Sequence, residues 1–184
     1  VFVGYTYSIN GDVVGNHGLF DAWVVKLDAL GAIQWQRCLG GTGSDKASCI
    51  QQTADGGYIL TGSTDSDDGD VTGYHGPNFN DAWILKLDTD GDIEWQRCIG
   101  GSGPDDGYSI QQTPDGGYIM AGYATSNDGD LLGANPGGDG NMWALRLNAI
   151  GEILWQRCLG GTAGDWGRSI IQTTDDGYVI CGDV

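Results

Sequence analysis

The stretch AWVVKLDALGAIQWQRCLGG at residues 22–41 returns as AWILKLDTDGDIEWQRCIGG at 82–101 and again as MWALRLNAIGEILWQRCLGG at 142–161. A second block, SCIQQTADGGYILTG at 48–62, returns as SIQQTPDGGYIMAG at 109–122 and SIIQTTDDGYVICG at 169–182. The period is 60 residues, so Trp23, Trp83 and Trp143 are in phase, as are Trp35, Trp95 and Trp155. Self-similarity at fixed spacing marks one supersecondary unit that cannot bury its own faces and stacks on its neighbours.

Within a unit, apolar and polar residues alternate over five to eight positions and Gly-rich turns separate the runs, which is the signature of short strands. Four are expected per unit, A to D. In the most regular stretch they are Ser109 to Thr113, Tyr118 to Ala124, Met142 to Leu147 and Ile153 to Leu159. The turns at Asp55-Gly56, Asp115-Gly116 and Asp175 to Gly177 supply the positive φ that tight hairpins need. On strand C, Trp23, Val25 and Leu27 face one way and Ala22, Val24 and Lys26 the other, so both faces are largely apolar and the sheet must be covered on both sides. The expectation is an all-β protein, a β-propeller segment of three roughly 60-residue four-stranded blades, with Trp35, Trp95 and Trp155 buried as docking residues between blades. A solenoid of stacked units is the less favoured architecture.

The blades divide the chain as a partial blade 1–41, blades 42–101 and 102–161, and a partial blade 162–184. Val1 to Thr6 reads as a strand B without its strand A. Since known propellers close with roughly 4 to 8 blades, the expectation is that the ring is completed by further blades of a longer chain or by another copy.

Acidic residues outnumber basic ones 25 to 8, for a formal charge of −17. Nucleic-acid affinity rests on clustered Lys and Arg, so no nucleic-acid partner is expected. Lys26, Lys86 and Arg146 share one repeat position and Arg37, Arg97 and Arg157 another, which assigns six of the eight cations to the framework. No run of about 18 apolar residues occurs, and no membrane-inserted helix is expected. Cys38, Cys98 and Cys158 also share a position. Equivalent sites on adjacent blades are too far apart for a disulfide, and these thiols read as small buried hydrophobes. An acidic surface rich in Gly, Asn and Asp with few Lys suits an extracellular or cell-surface protein.

The block DGGYILTGSTDSDDGDVTG at 55–73, followed by DAWILKLDTDGDIEWQRCIGG and SIQQTPDGG, resembles the repeat arrays of large surface proteins of Bacteroidota, many of which end in a type IX secretion sorting domain. The resemblance covers essentially the whole chain and implies a secreted or cell-surface array without specifying an activity. Strand C, its turn and strand D also resemble the Trp-docking motif of quinoprotein propellers, although the quinone-binding residues of those enzymes have no counterpart here. The Bacteroidota arrays often carry Thr or another small residue where this chain has Cys38, Cys98 and Cys158.

Residues present in every copy serve the shared architecture, so function belongs where copies differ. The B to C loops, Ser8 to Asp21, Ser66 to Asp81 and Ser126 to Asn141, differ most. Their Phe20, Tyr74, His75, Asn78 and Phe79, with Asn80, Asn135 and Asn141, combine aromatic rings with amides as a glycan- or protein-binding surface does. Asp12, Asp70 and Asp130 each follow a Gly, and Asp81 closes its loop. Flexible acidic loops of this kind supply the oxygens that calcium takes, although Asx turns account for the same residues. Asp45, Asp105 and Asp165 read as structural. No Ser/His/Asp or Cys/His set recurs, and His17 and His75 have no counterpart in the third copy. The expected function is therefore a non-catalytic extracellular module for adhesion, partner or glycan contact. The alternatives are a structural spacer or filament component of a large surface protein, and part of a propeller-type polysaccharide-degrading enzyme. The last would draw two carboxylates from the Asp-rich loops, but the Ser-x-Asp-x-Gly-x-x-Trp box of many such enzymes is absent from the turns.

Overall fold

The computed structural model describes residues 1–131 and 139–184. Among them lie thirteen strands and no helix, in four antiparallel sheets. The first sheet holds β1 (Phe2–Thr6), β2 (Asp21–Leu27) and β3 (Ile33–Leu39). The second holds β4 (Asp45–Gln52), β5 (Tyr58–Thr64), β6 (Asp81–Leu87) and β7 (Ile93–Ile99). The third holds β8 (Asp105–Gln112), β9 (Tyr118–Ala124), β10 (Asn141–Leu147) and β11 (Ile153–Leu159). The last pairs β12 (Trp166–Gln172) with β13 (Tyr178–Asp183). Strand order follows chain order in every sheet, consecutive antiparallel strands pairing even across the long B to C loops.

The first strand of a full sheet begins four residues earlier than its alternation indicates, at Asp105 instead of Ser109. A bulge between Gly107 and Ser109 leaves Tyr108 without a partner on β9 and breaks the period-two pattern. The same irregularity falls between Ala47 and Cys49 and between Gly167 and Ser169. The residue just before this bulge, Ala47, Gly107 or Gly167, is small in each copy because the strand crosses the preceding sheet closely. A Cβ on Gly107 would come within 2.9 Å of Met120 Sδ and closer still to Thr61 Oγ1.

Consecutive sheets stack with alternate residues facing opposite neighbours. From β5, Tyr58 and Leu60 pack toward the first sheet with Val24, Leu39, Trp83 and Leu85. Ile59, one residue out of phase, packs toward the third sheet with Ile84, Ile110, Met120 and Trp143. Every residue of β6 is buried, because a sheet sits against each face. Full burial of side chains of this size stabilises by roughly 1.5–3 kcal/mol each, which is where most of the fold's cohesion lies.

The Trp-Gln-Arg-Cys run of strand D explains the period in side chains. Trp95 meets Tyr118 of the next sheet edge-on at 5.7 Å between centroids, as Trp35 meets Tyr58 at 5.7 Å. Gln96 accepts a bond from the buried Trp83 indole N–H at 2.9 Å and donates one to Thr72 O at 2.9 Å, tying the core to the B to C loop. Arg37 reaches the C to D turn of the second sheet, donating to Asp90 O at 2.8 Å and to Asp92 at 2.9 Å, and Arg97 donates to Ile150 O at 2.9 Å. The wholly buried indoles are the strand C residues Trp83 and Trp143. Trp35 and Trp95 are half-buried, and Trp155, which faces only Tyr178 of a two-stranded sheet, is 38% exposed.

Candidate functional site

The B to C loops are held down more than their composition suggests. The Asp81 carboxylate, wholly buried, accepts the His75 backbone N–H at 2.9 Å and faces His75 Nδ1 at 2.7 Å, while Nε2 of the same ring lies 3.3 Å from Asp130. Tyr74 donates its hydroxyl to Phe79 O at 2.5 Å. Asp70 accepts the Gly40 N–H at 3.1 Å. Asp12 and Asn78 are exposed, Phe79 is 48% exposed, and Asn135 lies outside the described residues. Thus His75, Asp81 and Asp130 come together as a chain of hydrogen-bonding groups, whereas Asp12 and Asp70 stand apart from them. Among the described residues no three His, Cys, Asp or Glu side chains converge as ligands of one ion would.

Phe20 belongs elsewhere. It lies edge-on to Tyr5 at 5.5 Å and to Tyr7 at 5.7 Å, and the Lys46 ammonium stands 5.6 Å from the Tyr5 ring centre and 5.8 Å from that of Phe20. This cluster sits at the start of β4, and its counterparts recur at the start of β8 and β12 with different side chains. Where the first junction has Tyr5, Phe20, Lys46 and Ser48, the second has Ser63, Asn80, Asp106 and Tyr108, and the third has Tyr123, Gly140, Trp166 and Arg168. At the second junction Asn80 donates to Asp106 Oδ1 at 2.8 Å, and Ser63 and Tyr108 also bond this carboxylate. Burial pushes Asp106 above the usual carboxylate range and Tyr108 up to about 12. At the third, Tyr123 and Trp166 stack at 5.3 Å and the Arg168 guanidinium lies 4.8 Å over the Tyr108 ring.

The three junctions make one continuous row of unlike side chains along one end of the first strands. Of the residues singled out in the sequence, Phe20 and Asn80 are in this row and Tyr74, His75, Asn78 and Phe79 are not. Lys46, Asp106, Trp166, Ser48, Tyr108 and Arg168 were passed over because they precede the strand A that the alternation indicates, in a connection read as structural, while the B to C loops drew the attention. The available signal was their disagreement at fixed repeat positions. A cleft of about 360 Å³ opens between the first and second junctions. A larger one, about 610 Å³, lies between A to B turns; Gln112, Thr113, Gln172 and Thr173 in its lining are shared among the copies, whereas Ala54, Pro114 and Thr174 occupy one repeat position and differ.

No family model matches the chain, and no curated protein does. It is similar to the crystal structure of a protein of unknown function from Bacteroides caccae, with a TM-score of 0.52 and 13% identity, covering 97% of this chain and 50% of that one. The chain therefore spans about half the length of that structure, and at this identity the likeness concerns fold alone.

Proposed function

We propose that the chain is a β-propeller segment acting as a non-catalytic binding module at the cell surface or outside the cell, with a protein or glycan partner. The observation that carries this is the row of side chains at the strand starts. The repeat spends its shared residues on stacking, while positions 46, 106 and 166 hold Lys, Asp and Trp, and positions 48, 108 and 168 hold Ser, Tyr and Arg. A stacking array needs no such diversity at equivalent positions, whereas a recognition surface does. The propeller reading is supported by sheets covered on both faces and by first strands that bond one another. Gln112 N donates to Gln51 Oε1 at 2.7 Å, and Gln172 N to Gln111 Oε1 at 3.3 Å, as strands gathered toward a common axis do.

The test is binding of the labelled chain to Bacteroidota cells and to a glycan array, comparing Lys46→Ala, Tyr108→Ala and Trp166→Ala with the loop variant Phe79→Ala. Loss in the first three with retention in the fourth supports the reading. Binding untouched by all three row variants sinks it, and absence of any binding makes the chain a spacer.

A further inference from the structure

We propose that the cleft between Tyr5, Lys46, Ser63, Asp106 and Tyr108 is a binding site for one neutral sugar unit. The inference rests on the binding-module reading and names the ligand class of its row. The cleft is a consequence of two small residues. Ser63 stands where the other junctions carry Tyr5 and Tyr123, and Ser48 where they carry Tyr108 and Arg168. At the last junction the corresponding space is filled, since Tyr123 and Trp166 stack at 5.3 Å. The scaffold accommodates a filled junction, so the opening is not a requirement of the fold.

The groups around the opening select a class. An anionic ligand meets Asp65 and Asp106 with a single Lys, on a chain of formal charge −17. A cation competes with the Lys46 ammonium, already placed over the Tyr5 and Phe20 rings. An apolar ligand would strip water from Asp106 and the serine hydroxyls without replacing its bonds. A neutral polyhydroxyl ring answers each group: hydroxyl donors for the Asp106 carboxylate, which Asn80 holds at 2.8 Å, acceptors for Lys46, and C–H groups beside the Tyr5 and Tyr108 side chains that line the cleft. The volume, about 360 Å³, is at the small end of ligand pockets.

The experiment is amide-resolved NMR titration of the whole 184-residue chain with the methyl glycosides of glucose, galactose, mannose and N-acetylglucosamine. At least one should shift the amides of Lys46, Ser63, Asp106 and Tyr108, with affinity falling at least about tenfold in Ser63→Tyr, which installs the ring found at two equivalent positions. Should that variant not fold, Asp106→Asn serves, and loss of one charge-assisted bond predicts a similar fall. No shift with any glycoside, shifts elsewhere, or affinity unchanged in the variant overturns the proposal. If row variants meanwhile abolish cell binding, the module reading survives without the sugar. Release of reducing ends from an oligosaccharide, lost in Asp106→Asn, would uphold the site and overturn the non-catalytic reading.

Discussion

The indole of Trp35 rests on Gly91 of the following sheet: a Cβ added there would come within 2.9 Å of its Cζ3, and Gly91 itself has φ +83°. Trp95 bears the same relation to Gly151. Two independent demands thus fall on one residue, a left-handed backbone and an unobstructed approach.

Gly91→Ala should therefore destabilise more than Gly116→Ala. Gly116 has nearly the same φ, +86°, but opens onto free space, so alanine there costs only the backbone strain, roughly 1–2 kcal/mol. At Gly91 displacement of the indole adds about 1–3 kcal/mol. Urea midpoints at unchanged slope measure both. Equal losses would mean that the Trp35 contact contributes nothing to sheet docking.

Much of the strand pattern was legible because it depends on side chains that alternate. The extents of β9 and β11, and the two-sided burial of β6, follow from apolar spacing alone. The start of β8 was not legible, because Gly107 and the bulge that follows interrupt the count. The row at the strand starts was illegible for a related reason: Lys46, Asp106 and Trp166 share no chemistry, and only superposing copies puts them at one place. The loops drew attention instead through their aromatic and acidic content, much of which the structure spends internally, as in Tyr74 to Phe79 O and His75 to Asp81.

Gln96→Leu should cost about 1–3 kcal/mol. It leaves the N–H of the wholly buried Trp83 indole without its acceptor at 2.9 Å and frees the loop at Thr72. The paired change Gln96→Leu with Trp83→Phe removes the stranded donor and should cost less than the separate losses added together. Thermal unfolding of the four proteins in a double-mutant cycle checks this. Strict additivity would show that the bond is immaterial.

The thiols should separate by reactivity. Burial pushes Cys38 and Cys158 up to about 11 and raises Cys98 further, while Cys181 is exposed. Thiolate is the reactive form. A disulfide reagent at mildly alkaline pH should modify Cys181 quickly and Cys38 and Cys98 only on unfolding. Rapid modification of Cys98 in the native protein would mean that its surroundings open readily.

The last expectation concerns two buried carboxyls that crowd Gly100. Asp81 Oδ1 lies within 2.5 Å, and Asp105 Oδ2 within 3.0 Å, of where a Cβ on Gly100 would sit, and Asp81 Oδ1 has no hydrogen-bond partner among the described residues. His75 and Asp130 also face this pair from the loops. Burial raises Asp81 and pushes Asp105 up to about 6 from 3.8. With the folded value above the unfolded one, the native state binds more protons between these limits. Stability then falls as pH rises from about 4 to 6, by roughly 3 kcal/mol if Asp105 acts alone. Asp55, held near 2 by Thr53 and Lys86, works the other way and loses its contribution as pH falls from about 4 toward 2. The melting temperature should therefore peak near pH 4, falling on both sides. In the third copy the position of Asp81 is Asn141, a neutral group of the same shape beside Asp165. Asp81→Asn should accordingly raise stability at pH 7 and flatten the decline above pH 4, because a carboxyl that burial raises no longer has to ionise there. A decline of unchanged slope in the variant would place its origin outside this pair.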